Sequence, residues 1–167
     1  MRTKSFEGMA CQVAGAIEAI GDRWSFLILR DLALWPCRFD DFKEFSAIPN
    51  TTLSQRLRHL QAHGLVERRP YQDNPPRSEY VLTAKGRDLW MVLLALGEWG
   101  ERWNASGAGG ATIHMVDGKT GRRVKLALED ATTGRRVPLQ RLRPRAGPTA
   151  SEALRRKLKQ HEKKALS

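Results

Sequence analysis

Apolar residues recur at three- and four-residue intervals through most of the first hundred positions, and glycine and proline punctuate them. Residues 11–20 carry Val13, Ala16, Ile17 and Ile20 on one helical face, and Gly21 ends the run. Asp22 is placed to cap a second helix over residues 23–34, with Trp24, Leu27, Ile28 and Leu32 as its inward stripe. Trp35-Pro36 stops that helix. Residues 37–39 suit a very short strand, and Asp40 can cap a third helix to Phe45, with Phe42 and Phe45 facing inward. After the Ala47-Ile48-Pro49 turn, Leu53, Leu57 and Leu60 anchor a fourth helix, and Gly64 suits the position that closes it.

The period then shortens. Residues 65–71 and 78–82 read as strands, and Asp73-Asn74-Pro75-Pro76 between them cannot continue a ladder. Thr83 is placed to cap one long helix reaching about Trp103. Its Leu89, Trp90, Val92, Leu93, Leu94, Leu96, Trp99 and Trp103 make an apolar surface wider than a small core can bury, which predicts a partner helix. Residues 106–110 are a Gly-rich linker. Beyond it a near-repeat, Asp117-Gly-Lys-Thr-Gly-Arg-Arg-Val and Asp130-Ala-Thr-Thr-Gly-Arg-Arg-Val, predicts a small β-hairpin or three-stranded element over residues 112–142. Residues 143–148 break it. Residues 150–166 form a charged tail that is marginal as an isolated helix.

The predicted architecture is mainly α with a small β wing. Residues 1–107 form a winged helix-turn-helix domain for DNA binding and dimerisation, 108–148 a hairpin extension and 149–167 a basic tail. Within residues 50–82, an amphipathic helix, a glycine stop and a basic ribbon follow one another. That order suits a duplex, because a helix can enter the major groove while the ribbon tracks phosphates. Thr51, Thr52, Ser54, Gln55 and Arg58 lie off the leucine stripe and are the candidate groove contacts; Gln55 can pair with adenine and Arg58 with guanine or phosphate. Arg68, Arg69 and Arg77 on the ribbon would hold the backbone and fix register. Arg56 and His59 lie nearer the core boundary of the helix.

Charge changes this picture less than its total suggests. The net +11 fits a polyanionic partner. Residues 1–107 hold 14 Lys/Arg against 13 Asp/Glu, whereas residues 108–167 hold 15 against 5. The excess therefore sits in the last third, where Arg122, Arg123, Arg135, Arg136 and the run from Arg155 to Lys164 could meet phosphates or simply solubilise. Two cysteines, Cys11 and Cys37, imply no disulfide framework and a reducing compartment. No signal peptide and no bilayer-length apolar run is visible, so a soluble, cytoplasmic protein is expected, with no membrane partner. No phosphate-binding Gly loop, nucleophile elbow or metal-spaced His/Cys cluster occurs, so no catalysis, cofactor or metal is expected. His59 and His63 have a metal-compatible spacing but lack a third ligand.

Ile20-Gly-Asp-Arg-Trp-Ser-Phe-Leu-Ile-Leu-Arg30, Arg38-Phe39, Leu53-Ser-Gln-Arg-Leu57, Gly64-Leu-Val-Glu-Arg-Arg69, Pro75-Pro-Arg-Ser-Glu-Tyr80 and Leu82-Thr-Ala-Lys-Gly86 resemble the HxlR family of MarR-like winged-helix transcription regulators. The resemblance spans about residues 10–103. It implies a homodimer on inverted-repeat operators in double-stranded DNA, with the first helix and the helix after the wing as the seam. Trp90, Leu93, Leu94, Leu96, Trp99 and Trp103 are then the interface residues. It also implies that Cys11 occupies a position used by some members to sense oxidants or electrophiles. Cys37 has no such counterpart, and core packing is expected for it. The extension faintly resembles the zinc ribbon of some members, without its cysteines; His114 alone does not make a site. Three alternatives stay open: a regulator answering an unidentified small-molecule effector bound between the seam helix and the first helices, a thiol switch through Cys11, and a non-specific nucleic-acid binder driven by the tail.

Overall fold

Asp22 fixes where the second helix begins. In the computed structural model, which describes residues 5–6 and 8–165 (side chains only to 161), its Oδ1 accepts from the Trp24 and Ser25 amides at 3.1 and 3.2 Å. Helix α1 spans Gln12–Ile20, α2 Arg23–Leu34, α3 Phe39–Ser46 and α4 Asn50–Ala62. Ile28, Leu29 and Leu32 of α2, Phe42 of α3 and Leu53, Leu57 and Leu60 of α4 meet in one core with Ile20, Cys37, Ile48, Leu65, Val66 and Leu82. Trp24 and Leu27 lie only half-buried at its rim. A buried charge joins α2 to α3: Asp31 takes the Arg30 guanidinium at 2.7 Å and the Ser46 hydroxyl at 2.7 Å, so its carboxylate is satisfied.

Two expectations about the first helices are corrected. Helix α3 starts two residues early, because Arg38 rather than Asp40 holds the cap position and Asp41 closes the first turn, its Oδ2 accepting the Arg38 amide at 2.7 Å. Phe42 is fully buried, but Phe45 lies outside the core, where its ring meets Trp35 edge-on at 5.6 Å. On α1 only Ile20 of the expected stripe is buried, together with Ala14; Val13, Ala16 and Ile17 face outward.

Helix α4 ends in a Schellman motif. Gly64 has φ +66°, its amide reaches Gln61 O at 2.9 Å, and the Leu65 amide reaches Leu60 O at 2.9 Å. The chain passes straight into β1, Val66–Gln72, which pairs antiparallel with β2, Arg77–Leu82. The expected strand at residues 37–39 contracts to Cys37, which exchanges two backbone hydrogen bonds with Tyr80 and pins the wing to the core; Phe39 already belongs to α3. Thr83 caps the next helix through Gly86 N at 3.0 Å.

That helix is not continuous. It divides into α5, Ala84–Asp88, and α6, Trp90–Arg102, with Leu89 between them bonding three residues back to Gly86 O. None of the α6 side chains is fully buried.

The chain divides into two compact units, residues 16–126 and a second built from the described residues of 1–15 and 127–167. In the extension the near-repeat makes two identical turns and no extended ladder. Asp117 and Asp130 each accept the amides two and three residues on, and single bridges close the turns, Val116 with Arg123 and Glu129 with Arg136. The first turn belongs to residues 16–126, where Leu126 N donates to Glu98 Oε1 of α6 at 2.7 Å and Arg123 pairs with Glu101. The tail, expected to be marginal, is a helix, α7, Glu152–Ala165. Among the described residues no helix is long and apolar enough to cross a membrane.

Candidate nucleic-acid interface

Leu53, Leu57 and Leu60 commit one side of α4 to the core, so the rest of that helix is available to a ligand. Thr51, Gln55 and Arg58 are exposed on it, and Thr52 and Ser54 half-exposed. No carboxylate is paired with Arg58 among the described residues. The first three residues of α4, Asn50 to Thr52, are small and polar, which leaves that end unobstructed for close approach.

On the wing the three arginines differ. Arg69 is held by Glu79 through Nε at 3.1 Å and Nη2 at 2.7 Å, across the strand pair. Glu79 therefore partly offsets its charge within the wing. Arg68 and Arg77 are exposed and carry no ion pair among the described residues. Between the start of α3 and the wing a crevice of about 430 Å³ is lined by Arg38, Phe39, Asp40, Tyr71, Arg77 and Ser78. Arg38 holds the Asp41 carboxyl below its usual range through side-chain and backbone hydrogen bonds. The sequence did not single out Arg38 or Tyr71 for this face; the fold brings them together at the crevice.

Arg56 and His59 turn inward, as their angle on the helix suggests. Arg56 Nη2 lies 2.7 Å from Asp22 Oδ2, and His59 Nε2 lies 3.2 and 3.1 Å from the Glu18 and Ala19 carbonyls. They are absent from the exposed row. His63 bonds back to His59 O, and no cluster of three metal-binding side chains occurs among the described residues.

The candidate interface residues of α6 stay largely uncovered: Trp99 and Trp103 are 59% and 67% exposed and Leu96 50%, while Trp90, Leu93 and Leu94 are half-buried. Cys11 is exposed, and Cys37 is fully buried as expected. Burial, with Asp31, Asp41 and Glu79 nearby, pushes the Cys37 thiol up to about 12.

A core-anchored helix following a short turn from α3, with a two-stranded wing behind it, defines a winged helix-turn-helix protein. The chain belongs to the HxlR-like helix-turn-helix family, whose model matches residues 19–107. It is 43% identical over 98 residues to the uncharacterized HTH-type transcriptional regulator Rv3095 of Mycobacterium tuberculosis, a match covering 59% of this chain and 61% of that relative's length. The solved structure of PA1607, described as a candidate transcription factor, is 30% identical with a TM-score of 0.74, covering 86% of this chain and 100% of that one. The redox regulator HypR in its reduced form is 31% identical with a TM-score of 0.54, covering 59% of this chain and 99% of that one.

Proposed function

We propose that the protein is a homodimeric transcription regulator that reads an inverted-repeat operator in double-stranded DNA. The observation that carries this is the exposed polar row of α4, anchored by three buried leucines and flanked by an exposed wing. Gln55 and Arg58 read base edges, Thr51, Thr52 and Ser54 fill the close approach, and Arg68 and Arg77 hold phosphates. Arg69 contributes a charge that Glu79 partly offsets. Trp90, Leu93, Leu94, Leu96, Trp99 and Trp103 form the seam with the outward face of α1, so two reading helices enter major grooves about 34–36 Å apart. Residues 1–107 supply reader and seam, 108–148 a metal-free ribbon and 149–167 a basic tail that acts at the nucleoid. A small-molecule effector would act by binding one arrangement of the two readers more tightly than the other.

Selection of bound molecules from random duplexes tests this reading. A two-fold symmetric motif is expected, and Arg58→Ala should relax one position by about 1–3 kcal/mol. Enrichment without symmetry, or a chain that stays monomeric with DNA, sinks it.

A second reading is favoured by the exposure of Cys11, a prerequisite for a thiol sensor. On it, oxidation of Cys11 switches the same DNA binding. Mass spectrometry and DNA affinity after mild peroxide, beside Cys11→Ser, decide the matter: unmodified Cys11, or equal responses of both proteins, removes the switch.

A further inference from the structure

The leucines of α4 hold it to the core, but apolar contact is non-directional and leaves a helix free to roll or slide by small amounts. Directional contacts fix such a helix, and two side chains of its middle turns make theirs in one place, the end of α1 and the turn after it. Arg56 Nη2 meets Asp22 Oδ2 at 2.7 Å, while the other oxygen of Asp22 caps α2. Arg56 Nε is buried without a hydrogen-bond partner, so its guanidinium is bound to that position by one end only. One turn along, His59 Nε2 lies 3.2 Å from Glu18 O and 3.1 Å from Ala19 O. Carbonyl oxygens only accept, so the ring donates and this nitrogen carries the proton. Gly21, at φ +100°, passes directly beneath: a Cβ there would stand 3.2 Å from the same nitrogen. Arg56 and His59 are three residues apart on one face of α4; His59 reaches the end of α1, whose Ile17 is exposed, and Arg56 reaches Asp22 in the turn that follows it.

We propose that Arg56 and His59 are specificity-determining positioning residues, which lock the reading helix to the seam helix and so set the half-site spacing that the dimer accepts. The proposal rests on the dimeric-reader reading above and deepens it. Neither residue touches DNA. The Arg56–Asp22 pair is about one-third exposed on both sides, so its worth lies in geometry more than in stability. Each added base pair rotates one half-site by about a tenth of a turn relative to the other, so a rigid pair of readers discriminates spacings and a loose pair does not.

The test uses the full chain and the motif recovered by selection, in duplexes with the half-site spacing changed by one and two base pairs, beside a duplex bearing one half-site. The unsubstituted protein should prefer one spacing by about tenfold or more. The double variant Arg56→Ala/His59→Ala should bring that ratio to about twofold while leaving single half-site affinity within about twofold. Arg56→Lys with His59→Gln, which keeps a cation and a donor, should restore much of the preference. Should the double variant not fold, His59→Ala, which leaves the ion pair, carries the same comparison. A preference unchanged in folded variants overturns the proposal, and so does an equal loss on every duplex, half-site included. If the unsubstituted protein itself shows no spacing preference, it is the dimeric-reader reading that fails.

Discussion

At the scale of single residues, the backbone carbonyl of Leu65 makes Gly86 obligatory. A Cβ at position 86 would fall on the Leu65 oxygen, which already accepts the Thr83 amide, while the Leu65 amide closes the end of α4. Backbone cannot step aside as a side-chain tip can, so Gly86→Ala should cost about 1–3 kcal/mol. Urea unfolding should show it as a lower midpoint with an unchanged slope. The two thiols separate just as sharply. Cys11 is exposed and should react with a disulfide reagent in the native protein, whereas Cys37 should need denaturant. Because burial raises the Cys37 thiol from 9.0 to about 12, the unfolded chain loses that proton first as pH rises. The unfolded state then binds fewer protons than the folded one, so this group weakens the fold progressively between about pH 9 and 12. Thermal melts across that window, compared with Cys37→Ala, would read it; a Cys37→Ala protein with the same alkaline slope would refute it.

At the scale of elements, what the sequence made legible was whatever local chemistry decides. Helix α4 and the wing follow from the leucine spacing, Gly64 and the Asp73-to-Pro76 break, and the structure moves their ends by a residue. The break at Leu89 was not legible, because the apolar period runs through it unbroken, and it shows only in the backbone, where the Leu89 amide bonds to Gly86 O three residues back. Phe45 was misplaced because it lies three residues from Phe42 and shares its face by helical angle, and only the packing shows that Phe42 enters the core while Phe45 meets Trp35 at the surface. The exposed row of α4 could be read from helical angle alone. The partnership of Arg69 with Glu79 needed the strand register. In the extension the turns were legible as turns, but their closure was not. Asp130 supplies it by accepting from Thr132 N, Thr133 N and Thr133 Oγ1, which hold its carboxyl below the usual range. A depressed acid supports its turn above the unfolded value and releases it as pH falls through the folded one. Protection of the Thr132 and Thr133 amides, measured relative to the intrinsic exchange rate at each pH, should therefore fall on acidification below pH 3.8, and Asp130→Ala should show that low protection already at neutral pH. Protection that survives both changes would remove Asp130 from the role.

At the scale of the whole molecule, the uncovered tryptophans and the uneven charge make separable demands. Trp99 and Leu96 are exposed and touch none of the buried core, so Trp99→Glu with Leu96→Glu should leave the monomer folded. A charge on each side of a two-fold seam meets its own copy, and such like-charge juxtaposition costs several kcal/mol. Sedimentation should show monomer where the unsubstituted chain shows dimer, and affinity for a palindrome should fall to that for a single half-site. Charge acts differently. Arg155, Arg156, Lys157 and Lys159 all lie exposed or nearly so on α7, with no carboxylate bridging them among the described residues. If the tail meets phosphates, replacing all four by Gln should flatten the plot of log affinity against log salt by up to about 0.9 for each phosphate no longer neutralised. The ratio between operator and random duplex should stay the same, because phosphate contacts carry no base information. An unchanged slope would make the tail a solubilising helix, whereas a collapse of that ratio would mean that α7, and not α4 alone, reads the operator.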